Sequence, residues 1–91
     1  MSNTIALTLI GKPGCHLCDD ARAVVTQVIA EFESHHDASG RLQLEELDIL
    51  QDEALAQQYR DEIPVLLING KVHNYWRIDP VRLREALEAL R

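Results

Sequence analysis

The eight residues Gly11-Lys12-Pro13-Gly14-Cys15-His16-Leu17-Cys18 constrain this chain more than any other stretch. The apolar run Ile5-Ala-Leu-Thr-Leu-Ile10 enters them, and a helical pattern from Leu17 to Phe32 leaves them. The chain has two cysteines, and both stand at the far end of this turn with the spacing C-x-x-C. A strand, a Gly/Pro turn and two thiols on the first turn of a helix form a dithiol redox arrangement. Free backbone amides and the positive end of the helix dipole favour an anion there. The anion in question is a thiolate, the nucleophile of thiol–disulfide exchange, and such positions lower a cysteine pKa from its free value of about 8.5. One sulfur attacks a disulfide, and its neighbour one helical turn away resolves the intermediate.

A bridge from Cys15 to Cys18 would close a very short loop and restrict the unfolded chain little. The pair is therefore explained by chemistry rather than by stability. The 91 residues fit one domain over 1–91, and an apolar fraction of 46% is enough to build its core. The formal charge of −6 supplies no field that attracts nucleic-acid backbones or anionic membranes, so neither is an expected partner. Met1-Ser-Asn-Thr lacks a basic leader, and the apolar run behind it is too short for a signal peptide or a span. The expected setting is reducing and cytoplasmic.

Thr4–Ile10 is expected as a central strand buried on both faces, broken by Gly11, Pro13 and Gly14. Leu17, Ala21, Val24, Val25, Val28 and Phe32 follow steps of three and four and mark one helical face. Asp19 and Asp20 suit the dipole of its first turn, although their charge opposes a thiolate at Cys15. Glu33–Gly40 has no apolar period and is expected as a loop carrying solvated His35 and His36. Leu42–Ile49 gives a second strand near an edge, and Asp52–Tyr59 a short helix stopped by Ile63-Pro64. Val65–Ile68 is a third, buried strand. Asn69-Gly70 signals a hairpin into Lys71–Arg77, where His73 is expected at the surface. Asp79-Pro80 gives an N-cap and first helical position, and Leu83, Ala86, Leu87 and Leu90 mark the face of a closing helix. The order β-α-β-α-β-β-α predicts an α/β fold with a four-stranded mixed sheet flanked by helices.

That order, with C-x-x-C opening the first helix and Ile63-Pro64-Val65 opening the third strand, resembles the thioredoxin fold. The short chain, the K-x-x-C spacing of Lys12 and Cys15, and the segment Ile63-Pro64-Val65-Leu-Leu-Ile-Asn-Gly-Lys71 resemble its glutaredoxin branch. The resemblance implies a cis Pro64 and a thiol–disulfide oxidoreductase in which Cys15 attacks and Cys18 resolves. It also implies that the backbone at Ile63, Pro64 and Val65 pairs with an extended substrate, and that Lys12 contacts an anion, either the thiolate or a glutathione carboxylate. His16, between the cysteines, would favour a thiolate when protonated. Tyr75 and Trp76 either flank the substrate groove or pack the core or the hairpin, Arg77 could receive a carboxylate, and Asp79 keeps the acid before the last helix.

Two departures stand out. His16-Leu17 replaces the usual Pro-Tyr or Gly-Pro, and Tyr75-Trp76-Arg77-Ile78-Asp79 stands where glutaredoxins carry a Gly-Gly pair. The chain is most similar to small glutaredoxin-like proteins of poorly defined activity. The expected partners are protein or small-molecule disulfides. The expected electron source is external, either glutathione or a reductase, with no bound cofactor or metal and a monomeric protein. A second reading is a non-catalytic binding or adaptor domain, in which Cys15 and Cys18, with an imidazole such as His16, hold zinc or copper(I).

Overall fold

A computed structural model of the chain describes residues 4–36 and 42–90, excluding the side chains of residues 35 and 36. Strand β1 (Ile5–Gly11) leads through the Gly/Pro turn into helix α1 (His16–His36). Strand β2 (Leu42–Asp48), a 3-10 turn at Ile49–Gln51 and helix α2 (Glu53–Tyr59) follow. Strands β3 (Val65–Ile68) and β4 (Lys71–Tyr75) form a hairpin, and helix α3 (Pro80–Ala89) closes the chain. The sheet order is β2-β1-β3-β4. β1 runs parallel to β2 and antiparallel to β3, so the four-stranded sheet is mixed, as expected.

The main core lies between the sheet and the helices α1 and α3. Ile5, Leu7 and Leu9 alternate along β1 toward Ala21, Val25, Val28 and Phe32 of α1 and Leu83 and Leu87 of α3. Leu66 and Ile68 of β3 join them. Each such side chain, fully buried, contributes roughly 1.5–3 kcal/mol. Leu17, expected on this face, is instead 39% exposed in the first turn of α1.

The opposite face carries a smaller cluster of Ile10, Ile49 and Val65, packed by Leu55, Ala56 and Tyr59. The expectation that β1 is buried on both faces therefore holds only at its end, where Ile10 is buried; Ala6 is exposed and Thr8 half-buried. The reason is length. The seven residues of α2 span only about 10 Å at 1.5 Å per residue.

Helix α1 continues through His36, so Glu33-Ser34-His35-His36 is helix rather than the expected loop. Extending a helix that has already nucleated costs little, and Glu33 and Ser34 need no apolar period to continue its hydrogen bonds. The expected turn at residues 37–40 and the first three residues lie outside the described residues. The hairpin turn forms as expected, with Asn69 at φ 51° and Gly70 at φ 83°, the left-handed pair that a tight two-residue hairpin requires. Asn69 Oδ1 accepts from the Ala6 amide at 3.0 Å and ties the turn to β1. β4 ends at Tyr75, two residues earlier than expected, because Trp76 takes φ 67° and leaves the strand.

Candidate active site

The site begins where β1 delivers the chain to α1. The Cys15 carbonyl accepts from the Asp19 amide at 3.0 Å, so Cys15 is the half-in residue that caps the helix. Its sulfur does what the oxygen of a serine does in that position. The amide of Cys18, three residues on, donates to Cys15 Sγ at 3.2 Å. A backbone N–H aimed at this sulfur suits the charged form of a nucleophile. Cys15 is half-buried, and the two cysteines are unbridged.

Cys18 is the opposite case. It is buried at 2% exposure on the core side of α1. Burial, and a thiol hydrogen bond to Cys15, push its pKa up to about 11, against a smaller opposing contribution from a hydrogen bond with the Lys12 backbone. The two sulfurs therefore differ: Cys15 is half-buried and accepts a backbone amide, whereas Cys18 is shielded and held protonated.

Gly11 makes room for the second sulfur. A Cβ built at this position would lie 2.9 Å from Cys18 Sγ and 3.2 Å from its Cβ. The sequence suggests Gly11 only as a strand breaker. It is in fact the last residue of β1, and the absence of a side chain there lets α1 approach the strand. The signal is a glycine at the end of a buried strand that faces the first turn of a helix.

The segment Ile63-Pro64-Val65 leads into β3, the strand paired with β1. The Ile63–Pro64 peptide is cis, as the resemblance implied. Pro64 and Val65 are buried, and Ile63 is half-buried. Trp76 fastens this segment, a role the sequence did not suggest. Its amide donates to the Pro64 carbonyl at 2.8 Å, and its indole Nε1–H donates to the Asp61 carbonyl at 3.1 Å.

Two cavities flank the dithiol turn. One of about 240 Å³ is lined by Leu9, Gly11, Lys12, Cys18, Arg22 and Glu46, among others. Arg22 bonds both Glu46 and Asp19 there, joining α1 to β2. The other, of about 210 Å³, lies between α1 and the segment after β4 and is lined by Leu17, Asp20, Ala21, Val24, Trp76, Arg77 and Ile78. Lys12, His16 and Arg77 are all exposed. Lys12 and Arg77 fall on different cavities, and His16 lines neither of them. Asp79 caps α3, accepting from the amides of Val81 at 2.9 Å and Arg82 at 3.3 Å, and its own amide donates to Asn74 Oδ1 at 2.9 Å.

His73, expected at the surface, is half-buried, and its Nε2 is buried without a hydrogen-bond partner among the described residues. A bulge explains this. Leu66 pairs with Asn74 and Leu67 with Val72, so His73 is the extra residue of β4. Among the described residues, no three His, Cys, Asp or Glu side chains gather in an arrangement that could hold a metal ion. No described helix is long and apolar enough to cross a membrane.

Solved structures place this fold among the thioredoxins. Chloroplastic thioredoxin z superposes with a TM-score of 0.72 at 16% identity, over 97% of this chain and 79% of that one. At higher identity, the X-ray structure of a structural-genomics target protein from X. campestris superposes with a TM-score of 0.69 at 32% identity, covering 91% of this chain and 96% of that one. An uncharacterized protein of Mycobacterium tuberculosis is 28% identical over 79 residues, 84% of this chain and 75% of that protein. The model of the glutaredoxin-like domain (DUF836) matches residues 6–88, a span that holds the dithiol, the cis-proline and the capped last helix. The chain belongs to this glutaredoxin-like family of the thioredoxin fold.

Proposed function

We propose that the protein is a thiol–disulfide oxidoreductase. The observation that supports this is the unequal pair: a half-buried Cys15 whose sulfur accepts the Cys18 amide at 3.2 Å, and a buried Cys18 one turn on. The Cys15 thiolate attacks one sulfur of a substrate disulfide. That S–S bond breaks, one substrate sulfur leaves as a thiolate, and the other is joined to Cys15. Cys18 then gives up its proton and attacks Cys15 Sγ, which releases the second substrate thiol. The substrate gains two electrons, and the pair becomes a 15–18 disulfide. Two equivalents of glutathione, or a reductase, restore the dithiol.

The substrate strand lies against Ile63, Pro64 and Val65, beside the sulfurs. Lys12 and Arg77 meet carboxylates at the two rims, and His16, when charged, supports the Cys15 thiolate. Partners are protein or small-molecule disulfides, and the protein works as a monomer in the reducing cytoplasm.

The test is a pair of single variants in a disulfide-reduction assay. Cys15→Ser abolishes turnover. Cys18→Ser accumulates a mixed disulfide on Cys15, visible by intact mass. Full activity in both variants removes the mechanism.

A further inference from the structure

Trp76 is an unusual residue to leave in solvent. The residue is 53% exposed. Yet its backbone sits at φ 67°, its amide and indole N–H are both bonded to the Pro64 segment, and its ring packs edge-on against Tyr75 at 5.3 Å. A left-handed backbone is strained for a non-glycine residue, so other contacts must hold it there. The fold thus holds a large aromatic rigidly in water instead of burying it. Rigid exposed aromatics of this kind act as anchors for a partner's side chain.

The cavity that Trp76 walls indicates which side chain. Its floor is Ala21, Val24 and Ile78, its near wall is Leu17, and Leu17 stands between the two cysteines. Its rim carries one acid, Asp20, and one base, Arg77. Their charges offset, so the cavity carries no net charge, and its floor is what selects the side chain that fills it. At about 210 Å³ it falls below the roughly 300–1,000 Å³ that encloses a drug-sized molecule, and it suits one bulky side chain. Nearby anion donors are already taken, since the first amides of α3 are bonded to Asp79 and the Asp79 amide to Asn74. Glutathione presents no bulky apolar group to fill the space over Ala21, Val24 and Ile78.

We propose that Trp76 is a specificity-determining residue. It seats a bulky apolar side chain, next to the disulfide cysteine of an extended polypeptide, in the cavity over Ala21, Val24 and Ile78. The substrate class is thereby a protein disulfide flanked by an apolar residue. This rests on the exchange reading given above.

The experiment uses three substrates: disulfide-linked dimers of two neutral peptides that differ only in leucine or serine beside the cysteine, and glutathione disulfide. With the wild-type protein, kcat/KM for the leucine peptide exceeds that for the serine peptide roughly tenfold, the scale on which apolar pockets discriminate. Trp76→Ala brings that ratio near one, and Trp76→Phe restores most of it. Leu17→Ser, at an exposed wall, also lowers the ratio if Trp76→Ala loses its fold. Equal rates for the two peptides with the wild-type protein, or an undiminished ratio in Trp76→Ala, overturn the proposal while leaving the redox reading intact.

Trp76 is the single tryptophan of the chain, so its fluorescence gives a readout that needs no exchange. A leucine peptide with serine in place of its cysteine shifts the emission of Cys15→Ser saturably, and the serine counterpart does not. That response, combined with a wild-type protein that exchanges with none of the three substrates, would sink the redox reading alone. Absence of both exchange and response would sink both.

Discussion

Gly11 and Cys18 touch across the start of the first helix, with no space between them for a side chain. A Cβ on residue 11 would meet the Cys18 sulfur at 2.9 Å. The atoms it would strike belong to the short, buried side chain of Cys18 in α1, and the backbone of Gly11 is held in β1, so neither partner can swing aside cheaply.

Gly11→Ala therefore destabilises the fold by about 1–3 kcal/mol, the usual cost of overpacking a tight site. It also displaces Cys18 relative to Cys15, so the variant accumulates more mixed disulfide than wild type during turnover. Denaturant melts give the first effect, and intact mass of quenched reactions gives the second. Wild-type behaviour in both would show that the helix start yields easily.

The two thiols should be separable by pH. Burial comes first among the causes that raise Cys18 to about 11, followed by its hydrogen bond to Cys15. Since only the thiolate alkylates, pulsed iodoacetamide at pH 7–8 modifies Cys15 and leaves Cys18 largely unmodified in the folded protein. Cys18 labelling rises only as pH approaches the shifted value. The neutral thiol is favoured in the folded state, so this contribution to stability is full below the unfolded pKa and is lost as pH rises through the folded one. Peptide mapping of the alkylated protein gives the site ratio, and equal labelling at pH 7–8 would contradict the buried, protonated state of Cys18.

Element order, strand type and the dithiol at a helix start were legible because each had a local signature. Gly/Pro breaks bounded the first strand, Asn69-Gly70 set the hairpin, and Asp79-Pro80 opened α3. The misses came from tertiary placement. The extension of α1 through His36 needed no apolar period, and the open end of the second sheet face followed from the short reach of α2. The bonds that fix Trp76 and the space left at Gly11 were the larger omissions. Nothing in the sequence around an aromatic residue announces a left-handed backbone bonded to a proline twelve residues earlier. The glycine at the end of β1 was a signal, but only the packing of α1 on the strand shows that its missing side chain is the space Cys18 needs.

The bulged His73 gives the fold an acid-sensitive position. Burial lowers its pKa, the nearby Arg82 lowers it further, and Asp79 opposes them. The unfolded chain then takes up a proton before the folded one does. Stability is full above the ordinary histidine value and is lost as pH falls through it toward the lowered folded value. His73→Leu removes both the titration and the orphaned Nε2. The melting temperature of wild type should fall more steeply than that of His73→Leu between pH 7 and 5.5, and parallel curves would show that His73 titrates as it would in water.

Asp79 joins the stability of the last helix to the segment that carries Trp76. Its carboxylate holds the Val81 and Arg82 amides, and its own amide is held by Asn74 from the end of β4. Leu83 and Leu87, both fully buried, depend on α3 starting at this residue. Replacing an N-cap aspartate by alanine costs roughly 1 kcal/mol. In a domain of this size that corresponds to a melting temperature lower by about 4–8 °C. Asp79→Ala should show that loss, and Asp79→Asn, which keeps the accepting oxygen, should recover most of it. If both variants lose the same amount, the charge matters more than the hydrogen bonds, and the interaction with the helix dipole is the larger part of the cap. If neither loses stability, α3 is held by its apolar face alone. Trp76 would then owe its position to the Pro64 and Asp61 carbonyls rather than to the helix that follows it.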